Sequence, residues 1–384
     1  IAIHYRARRD VAAEAWRDLH ELFTIAESAG IERVGIDEGK VRSPSCLEIY
    51  VRSILLHAAS PYSLAVREME WLRRWIRMWA GKVMLAPPVP DRDLISVNLD
   101  SDDPPRALRG AIGAHWRALD TRELRKSVRK RIRGLQDGYS STDMGLGEDC
   151  HPYEAVQLLL HLDVQWFQSP IPRQFKRRLV TGRAEVAVSF EEIHLAIGGR
   201  LAAAPRRAWD YSRHDVDQLF LYGKTDLDFT EGETRSRAER WEQLDDSATG
   251  FRLRRRPPGE RLSHRQLIAL RPEDAPTFIL CEVRWLTQSI EGALVMGVQA
   301  LPGLAQPISA RPQSTNAAIE TRFQPAFVLP PSPGIRSTLV LPSGSYRDER
   351  MIELRYEDTV RHVKLLGLEQ RGYDFERCTF EIVL

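Results

Sequence analysis

Two groups of side chains in this sequence combine residue types that can contact phosphate groups and the edges or faces of bases. An acidic turn, residues 245–250, reads Asp-x-Ser-x-x-Gly and brings Asp245 and Ser247 into one short segment. An arginine segment, residues 173–178, lies upstream and contains the spacing Arg-x-x-x-Arg. A carboxylate accepts hydrogen bonds from the N–H edge of guanine, whereas a planar guanidinium group pairs with phosphate and stacks on a purine face. Each group therefore supplies the contacts that the other lacks.

Short strand-like segments surround both groups and would position them. Pro, Gly and acidic residues separate these segments, as they separate the strands of an antiparallel barrel. One segment follows the arginine segment, and four more follow the acidic turn. The predicted strands span residues 184–190, 251–254, 266–271, 277–286 and 293–301.

Two arginines, then a strand, then Asp-x-Ser-x-x-Gly, in that order, resemble the PilZ domain, a bacterial receptor domain for cyclic di-GMP. A strand ending in Val283-Arg284-Trp285, with Met-Gly-Val-Gln soon after it, also looks like the closing hairpin of PilZ barrels. The resemblance covers about residues 170–303. It implies a six-stranded antiparallel barrel without enzymatic activity, in which a glycine in the turn permits a positive φ or a close approach. The ligand contacts that it implies are Arg173, Arg177, Arg178, Asp245, Ser247 and Gly250.

One departure from the family pattern is an insertion at about residues 198–240, between the first strand and the acidic turn. It brings Arg235, Arg237 and Arg240 nearer to the acidic turn in sequence than the arginine segment is. These three arginines are therefore alternative ligand contacts. The insertion also motivates an alternative hypothesis, in which the barrel docks proteins without binding nucleotide.

Residues 1–165 have mainly helical periodicity, although residues 1–5 alone are strand-like. Ser43, followed by Pro44, is the predicted N-cap of the second helix. A capping box at residues 120–123 is predicted to open the fourth. Apolar side chains recur at three- and four-residue steps throughout. The predicted helices span residues 11–29, 43–58, 63–80, 120 to about 136, and 152–167.

Two of these helices combine an apolar stripe with many basic side chains. Residues 63–80 carry tryptophans and arginines, which suit a membrane surface or a partner as well as a buried core. Residues 122–133 carry seven basic side chains, which suit nucleic acid or an acidic partner as well as a solvated face. We expect a core stripe in the first helix. In the second we expect a solvated or interdomain face, because no aromatic residues for base stacking alternate with the basic ones.

The composition indicates a globular protein of several domains. The 384 residues are 43% hydrophobic and 28% charged, and the net charge of +2 does not indicate a nucleic-acid binder. No apolar run approaches the ~20 residues that span a bilayer, and no signal peptide is visible. Four widely spaced cysteines indicate reduced thiols and a cytoplasmic location. The chain begins at Ile1 without methionine, which indicates part of a longer protein.

No motif indicates catalysis or a metal site. Gly223-Lys224-Thr225 lacks the earlier glycine that opens a phosphate-binding loop. The ten-residue step from His151 to His161 does not bring two imidazoles together on a helix. We therefore predict no enzymatic activity, no metal and no cofactor.

The predicted fold class is α+β multidomain. A helical domain at residues 1–165 precedes a PilZ-like antiparallel six-stranded β-barrel at residues 166–305, and a smaller C-terminal β-domain or barrel extension occupies residues 306–384. The resemblance implies a cyclic di-GMP receptor that relays binding to an unknown protein partner through its other domains. The alternative is a PilZ-like interaction adaptor that does not bind nucleotide. No nucleic-acid partner is expected.

Overall fold

The structure, a computed structural model, describes most of the chain in two compact units. The first comprises Ile1–Lys176 and Trp285–Leu294, and the second comprises Arg177–Arg284 and Val295–Leu384. Within the described residues there are seven α-helices and sixteen strands. The described residues are 1–35, 43–89, 93–109, 113–168, 178–198, 237–247, 249–313, 322–331, 334, 336–356 and 359–383.

The first unit contains six helices and a four-stranded antiparallel sheet within its described residues. The predicted helices are present, but the sheet was not predicted, because its strands are only three to six residues long. Residues 1–5, predicted as strand-like, form a helix instead. The helices are α1 Ala2–Arg6, α2 Ala13–Ser28, α3 Cys46–Ala58, α4 Val66–Trp79, α5 Arg122–Gln136 and α6 Pro152–Phe167. The strands β1 Met84–Ala86, β2 Asp93–Asn98, β3 Arg106–Arg109 and β4 Trp116–Asp120 are arranged in the order β1-β4-β2-β3.

The ends of two helices differ from the predicted caps. Helix α3 is capped by Ser45, not Ser43, because Ser45 lies three residues before Glu48 and completes a capping box. Its hydroxyl accepts from the Glu48 N–H at 3.2 Å, and the Glu48 carboxylate accepts from the Ser45 N–H at 3.0 Å. Helix α5 begins one residue later than the predicted box, and Asp120 Oδ1 accepts from the Arg122 N–H at 3.1 Å. Thr121 is the N-cap of α5 and makes no side-chain cap hydrogen bond.

The tryptophans of helix α4 belong to the core of the first unit. Trp71, Trp75 and Trp79 are all buried. The indole of Trp75 donates to the Leu146 carbonyl at 2.9 Å, and that of Trp71 donates to Asp149 at 2.8 Å. The expectation of a core stripe is therefore confirmed. Among the described residues, no helix combines the length and apolarity that a membrane crossing requires.

Two closed six-stranded antiparallel barrels account for most of the second unit, which confirms the predicted fold class. The first barrel has the order β10-β7-β6-β5-β8-β9, and the second has the order β11-β12-β13-β16-β15-β14. The C-terminal region therefore closes on itself as a separate barrel. Strands of the first barrel are β5 Arg178–Ala187, β6 Glu239–Ser247, β7 Gly250–Arg255, β8 Leu267–Pro272, β9 Ile279–Gln288 and β10 Leu294–Ala300, and helix α7 Phe190–Ala196 follows β5. Those of the second are β11 Gln306–Pro312, β12 Gln324–Leu329, β13 Thr338–Pro342, β14 Met351–Tyr356, β15 Thr359–Arg371 and β16 Phe375–Val383.

The two barrels share one hydrophobic cluster. Leu267 and Leu280 of the first barrel pack in it with Phe327 and Phe375 of the second, and all four side chains are buried. Apolar burial of this kind is the dominant favourable term in association. Backbone and side-chain hydrogen bonds cross the same seam. The Leu267 N–H donates to Asp374 Oδ1 at 2.9 Å, and the Tyr373 N–H donates to the Arg265 carbonyl at 2.7 Å.

The position of Asp374 in the seam predicts a pH-dependent stability. Burial raises the pKa of Asp374 from its ordinary value of 3.8 to about 6. Between these two pH values the folded protein binds a proton more tightly than the unfolded chain does, so this group's contribution to stability falls as the pH rises. Asp374→Asn removes that titration. We expect the melting temperature of the variant, relative to the wild type, to rise by several degrees from pH 4 to pH 7.

Thermal melts across this pH range check the prediction. Asp348→Asn, a change at an exposed carboxylate of the second barrel, is the control and should show no such rise. A temperature difference between Asp374→Asn and the wild type that stays constant with pH would contradict the assignment.

Candidate functional site

The acidic turn forms the hairpin that joins β6 to β7. Strand β6 ends at Ser247, strand β7 begins at Gly250, and these two residues are paired across the hairpin. The Ser247 hydroxyl donates to the Gly250 carbonyl at 3.3 Å. The Asp-x-Ser-x-x-Gly pattern therefore spans a tight turn and the last residues of β6, at one end of the first barrel.

The register of β6 is interrupted at Leu244 on both of its edges. On the β7 side the pairing skips from Gln243 to Asp245, and on the β5 side it skips from Gly182 to Leu179. Such bulges change which face of the sheet the following residues occupy, and they are common beside functional sites. The irregularity lies immediately before Asp245.

Asp245 is buried, with 4% of its surface exposed. Arg252, its partner in register on β7, lies with Nη1 3.7 Å from Asp245 Oδ2. The Asp245 carboxylate is thus held beside a cation at the base of the hairpin. It lies in the same strand as Ser247 and two residues before it.

Arg178 is the first residue of β5 and is paired in register with Asp246. Its guanidinium makes a two-point contact with that carboxylate, Nη2–Oδ2 at 3.0 Å and Nε–Oδ1 at 3.4 Å. The hydrogen bond to Asp246, reinforced by its charge, raises the pKa of Arg178. The side chain is 72% exposed. The end of the arginine segment therefore meets the acidic turn at the same end of the barrel.

Arg173 and Arg177 lie outside the described residues, as does most of the insertion at residues 198–240, including Arg235. Arg177 precedes Arg178 directly in the chain. Of the alternative arginines, Arg240 is paired with Glu185, near the opposite end of β6 from the acidic turn. Seven residues of extended strand separate it from Ser247, which corresponds to roughly 23 Å. The geometry therefore favours Arg178 over Arg240 as a neighbour of the acidic turn.

Gly250 allows a close approach between strands rather than a positive φ. It is not among the glycines with positive φ. A Cβ at this position would lie 3.0 Å from the Val298 carbonyl oxygen of β10. Beside it, the Ala300 N–H donates to the Thr249 carbonyl at 2.9 Å. The turn is therefore packed directly against the end of β10.

Asp246 is a residue of the site that the sequence pattern did not identify. It accepts from Arg178 and also from Gln243 Nε2 at 3.3 Å. The pattern treats it as a variable position between Asp245 and Ser247. The one signal in the sequence was the Asp245-Asp246 doublet, but the bulge decides which of the two carboxylates meets Arg178.

Comparison with known proteins gives two matches, one on each side of the first barrel. Residues 1–90 match a family model described as "Cyclic-di-GMP receptor FimW, N-terminal domain". Residues 308–383 match the model "FimW C-terminal beta-barrel domain". The chain is similar to FimW at both ends. The second match spans most of the second barrel, and no match was found among curated proteins.

The packing of Gly250 predicts a specific loss of stability on substitution. In Gly250→Ala the new methyl group presses on the Val298 carbonyl, so we expect unfolding to become about 1–3 kcal/mol more favourable. Gly182→Ala is the matched control in the same barrel, because a Cβ there has only an ordinary contact of 3.5 Å with Val180. Urea unfolding measures both. An equal effect of the two substitutions would show that the close approach to β10 does not constrain Gly250.

Proposed function

We propose that this protein is a non-enzymatic receptor for cyclic di-GMP that binds the dinucleotide at the β6–β7 hairpin of the first barrel. The observation that carries the proposal is the Arg178–Asp246 pair, which joins the start of β5 to the acidic turn. The two FimW matches support the same ligand, because one of those models is described as a cyclic di-GMP receptor. The proposed contacts are Arg173, Arg177, Arg178, Asp245, Ser247 and Gly250.

The chemistry of the proposed site divides between the two groups. Arg173 and Arg177 pair with phosphate oxygens and stack on guanine faces, as the planar guanidinium group allows. Asp245 accepts from a guanine N–H edge, and the Ser247 hydroxyl donates to a base or phosphate oxygen. Gly250 keeps the turn close to β10. Three or four charge-assisted contacts of about 1.5–3 kcal/mol each, less the cost of ordering the arginine segment, are consistent with micromolar affinity.

Asp246 acts in this proposal as a positioning residue. Its two-point contact holds the Arg178 guanidinium at the entrance to β5. A guanidinium fixed in this way loses less conformational entropy when it contacts a phosphate. Arg178 is largely exposed, so its remaining N–H donors are accessible to a ligand.

The alternative function, an adaptor that does not bind nucleotide, has one observation in its favour. Arg178 and Asp245 each have an oppositely charged neighbour within the barrel, Asp246 and Arg252. Their charges are therefore compensated without a ligand. In either function, the second barrel and the first unit would carry the contacts to a protein partner.

Titration calorimetry with cyclic di-GMP separates the two functions. We expect binding in the micromolar range, and a loss of about tenfold or more in Arg173→Ala and in Asp245→Asn, which each remove roughly one charge-assisted contact. Arg254→Ala is the control, because Arg254 is an arginine of β7 that pairs with Glu242 away from the turn. If tens of micromolar ligand produce no heat of binding and no thermal stabilisation, the result favours the adaptor.

A double-mutant cycle tests the role of Asp246. If Asp246 acts through Arg178, Asp246→Asn should weaken cyclic di-GMP binding by about threefold to tenfold in the wild type. The same substitution should have little further effect in an Arg178→Ala background. Effects that simply add would mean that Asp246 does not act by positioning Arg178.

A further inference from the structure

A cavity of about 520 Å³ lies between the two barrels of the second unit. We call it the seam cavity. Its volume is within the range of small-molecule sites. Its charged lining groups are four arginines and two glutamates, with a formal net charge of +2. The arginines are Arg265 and Arg284 from the first barrel and Arg336 and Arg377 from the second, and the glutamates are Glu282 and Glu369.

Glu282 compensates the two arginines of the first barrel. Its side chain is 2% exposed and accepts from Arg284 Nη1 at 2.7 Å and from Arg265 Nε at 3.4 Å. Gln370, from the second barrel, donates to the same carboxylate at 2.8 Å. Three donors therefore surround this buried charge. Glu282 positions two guanidinium groups at the cavity wall and ties the barrels together.

The arginines of the second barrel have no such compensation. Within the described ranges, Arg336 and Arg377 have no carboxylate partner, and the Nε–H of Arg377 is buried without an acceptor. Glu369, the other acidic lining residue, is exposed. Each wall therefore carries a formal charge of +1, and the arginines without a carboxylate partner lie on the wall that the second barrel supplies.

A buried hydroxyl lies on the same wall. Thr338, at the start of β13, is 2% exposed, and its Oγ1 has no hydrogen-bond partner among the described residues. Burying a polar group without a partner is unfavourable, and such groups in native structures are few. A hydroxyl and two guanidinium groups together offer donors to an acceptor-rich anion. The oxygens of a phosphate group satisfy all three, because phosphate accepts several hydrogen bonds at once.

The backbone of Arg265 is strained where it meets this cavity. Its φ of 62° is in the left-handed region, which residues other than glycine rarely adopt. Two hydrogen bonds hold it there, from its own N–H to the Val283 carbonyl at 2.8 Å and from the Tyr373 N–H to its carbonyl at 2.7 Å. Strained residues of this kind are concentrated at functional sites.

We propose that the seam cavity binds a phosphorylated small molecule of nucleotide size, with its phosphate at Arg336, Arg377 and Thr338. This site is separate from the β6–β7 hairpin and does not depend on the function proposed above. Ala300, which lines the cavity, donates to the Thr249 carbonyl in the acidic turn. The two sites are therefore linked by one backbone hydrogen bond, and a ligand in the cavity contacts both barrels.

The test is titration of the full chain with inorganic pyrophosphate, GMP and cyclic di-GMP. Binding is measured by calorimetry and by the rise in melting temperature. At least one of the three should bind, and Arg336→Gln and Arg377→Gln should each lower its affinity by about tenfold. Arg361→Gln is the control. It removes the same charge from an exposed arginine of β15 that does not line the cavity. Equal losses in the control, or binding unchanged in both cavity variants, would overturn the proposal.

Asp245→Asn distinguishes the seam cavity from the hairpin. Binding in the seam cavity is supported if a probe still binds to the Asp245→Asn variant but no longer binds to the Arg377→Gln variant. The probe that gives this result shows which kind of ligand the cavity accepts. If pyrophosphate and GMP do not bind and all cyclic di-GMP binding is lost in Asp245→Asn but retained in Arg377→Gln, the cavity proposal fails while the receptor function stands. No binding by any of the three probes overturns the cavity proposal as well.

Thr338→Val separates a binding role from a structural one. Valine has nearly the same shape and removes the unpaired hydroxyl, so the protein without ligand should be as stable as the wild type or more stable. Its affinity for the bound phosphate compound should nevertheless fall by about threefold or more. A variant that unfolds more readily and binds with unchanged affinity would assign Thr338 to folding alone.

Discussion

Pairing of strand β6 with β5 on one edge and β7 on the other is the constraint on which the candidate site depends. In a closed barrel each strand is hydrogen-bonded on both edges. An irregularity in one strand therefore interrupts its pairing with both neighbouring strands. Strand β6 shows this at Leu244, where pairing is interrupted toward β5 and toward β7 alike. When pairing resumes, Asp245 lies beside Arg252 and Asp246 lies beside Arg178. The positions of both carboxylates are thus set by the register of β6 against its two neighbours.

The seam between the barrels depends on a similar combination of packing and charge. The shared cluster around Phe327 and Phe375 excludes water, and charges beside such a cluster are costly unless they are compensated. Glu282 accepts hydrogen bonds from donors of both barrels, whereas burial raises the pKa of Asp374. Among the residues that the structure describes, the arginines on the other wall have no carboxylate partner and the Thr338 hydroxyl has no hydrogen-bond partner, so an anion suits this cavity. The hairpin and the cavity adjoin through the backbone hydrogen bond from Ala300 to Thr249.

Features that depend on interactions between residues close in sequence were predicted correctly more often than features that depend on distant contacts. Helix α6 begins and ends where its periodicity and Pro152 predicted, and the tryptophan stripe of α4 is buried as expected, because both signals are local. The cap of α3 was misplaced by two residues, because Ser43 and Ser45 are both good caps and only Glu48 decides between them. The four-stranded sheet was missed, since strands this short do not establish a clear alternation.

The residue types of the candidate site, their order along the chain and the presence of a turn close to Ser247 and Gly250 could be predicted from the sequence. These depend on neighbours within a few residues, whose chemistry and spacing are directly visible. The fold was needed to show that Arg178 meets Asp246, and that the walls of the seam cavity come from residues as distant in sequence as Arg265 and Arg377. Such pairs depend on strand register and on the packing of one barrel against another. Neither leaves a periodic signal in the sequence, because each is a balance of contacts between segments far apart in the chain.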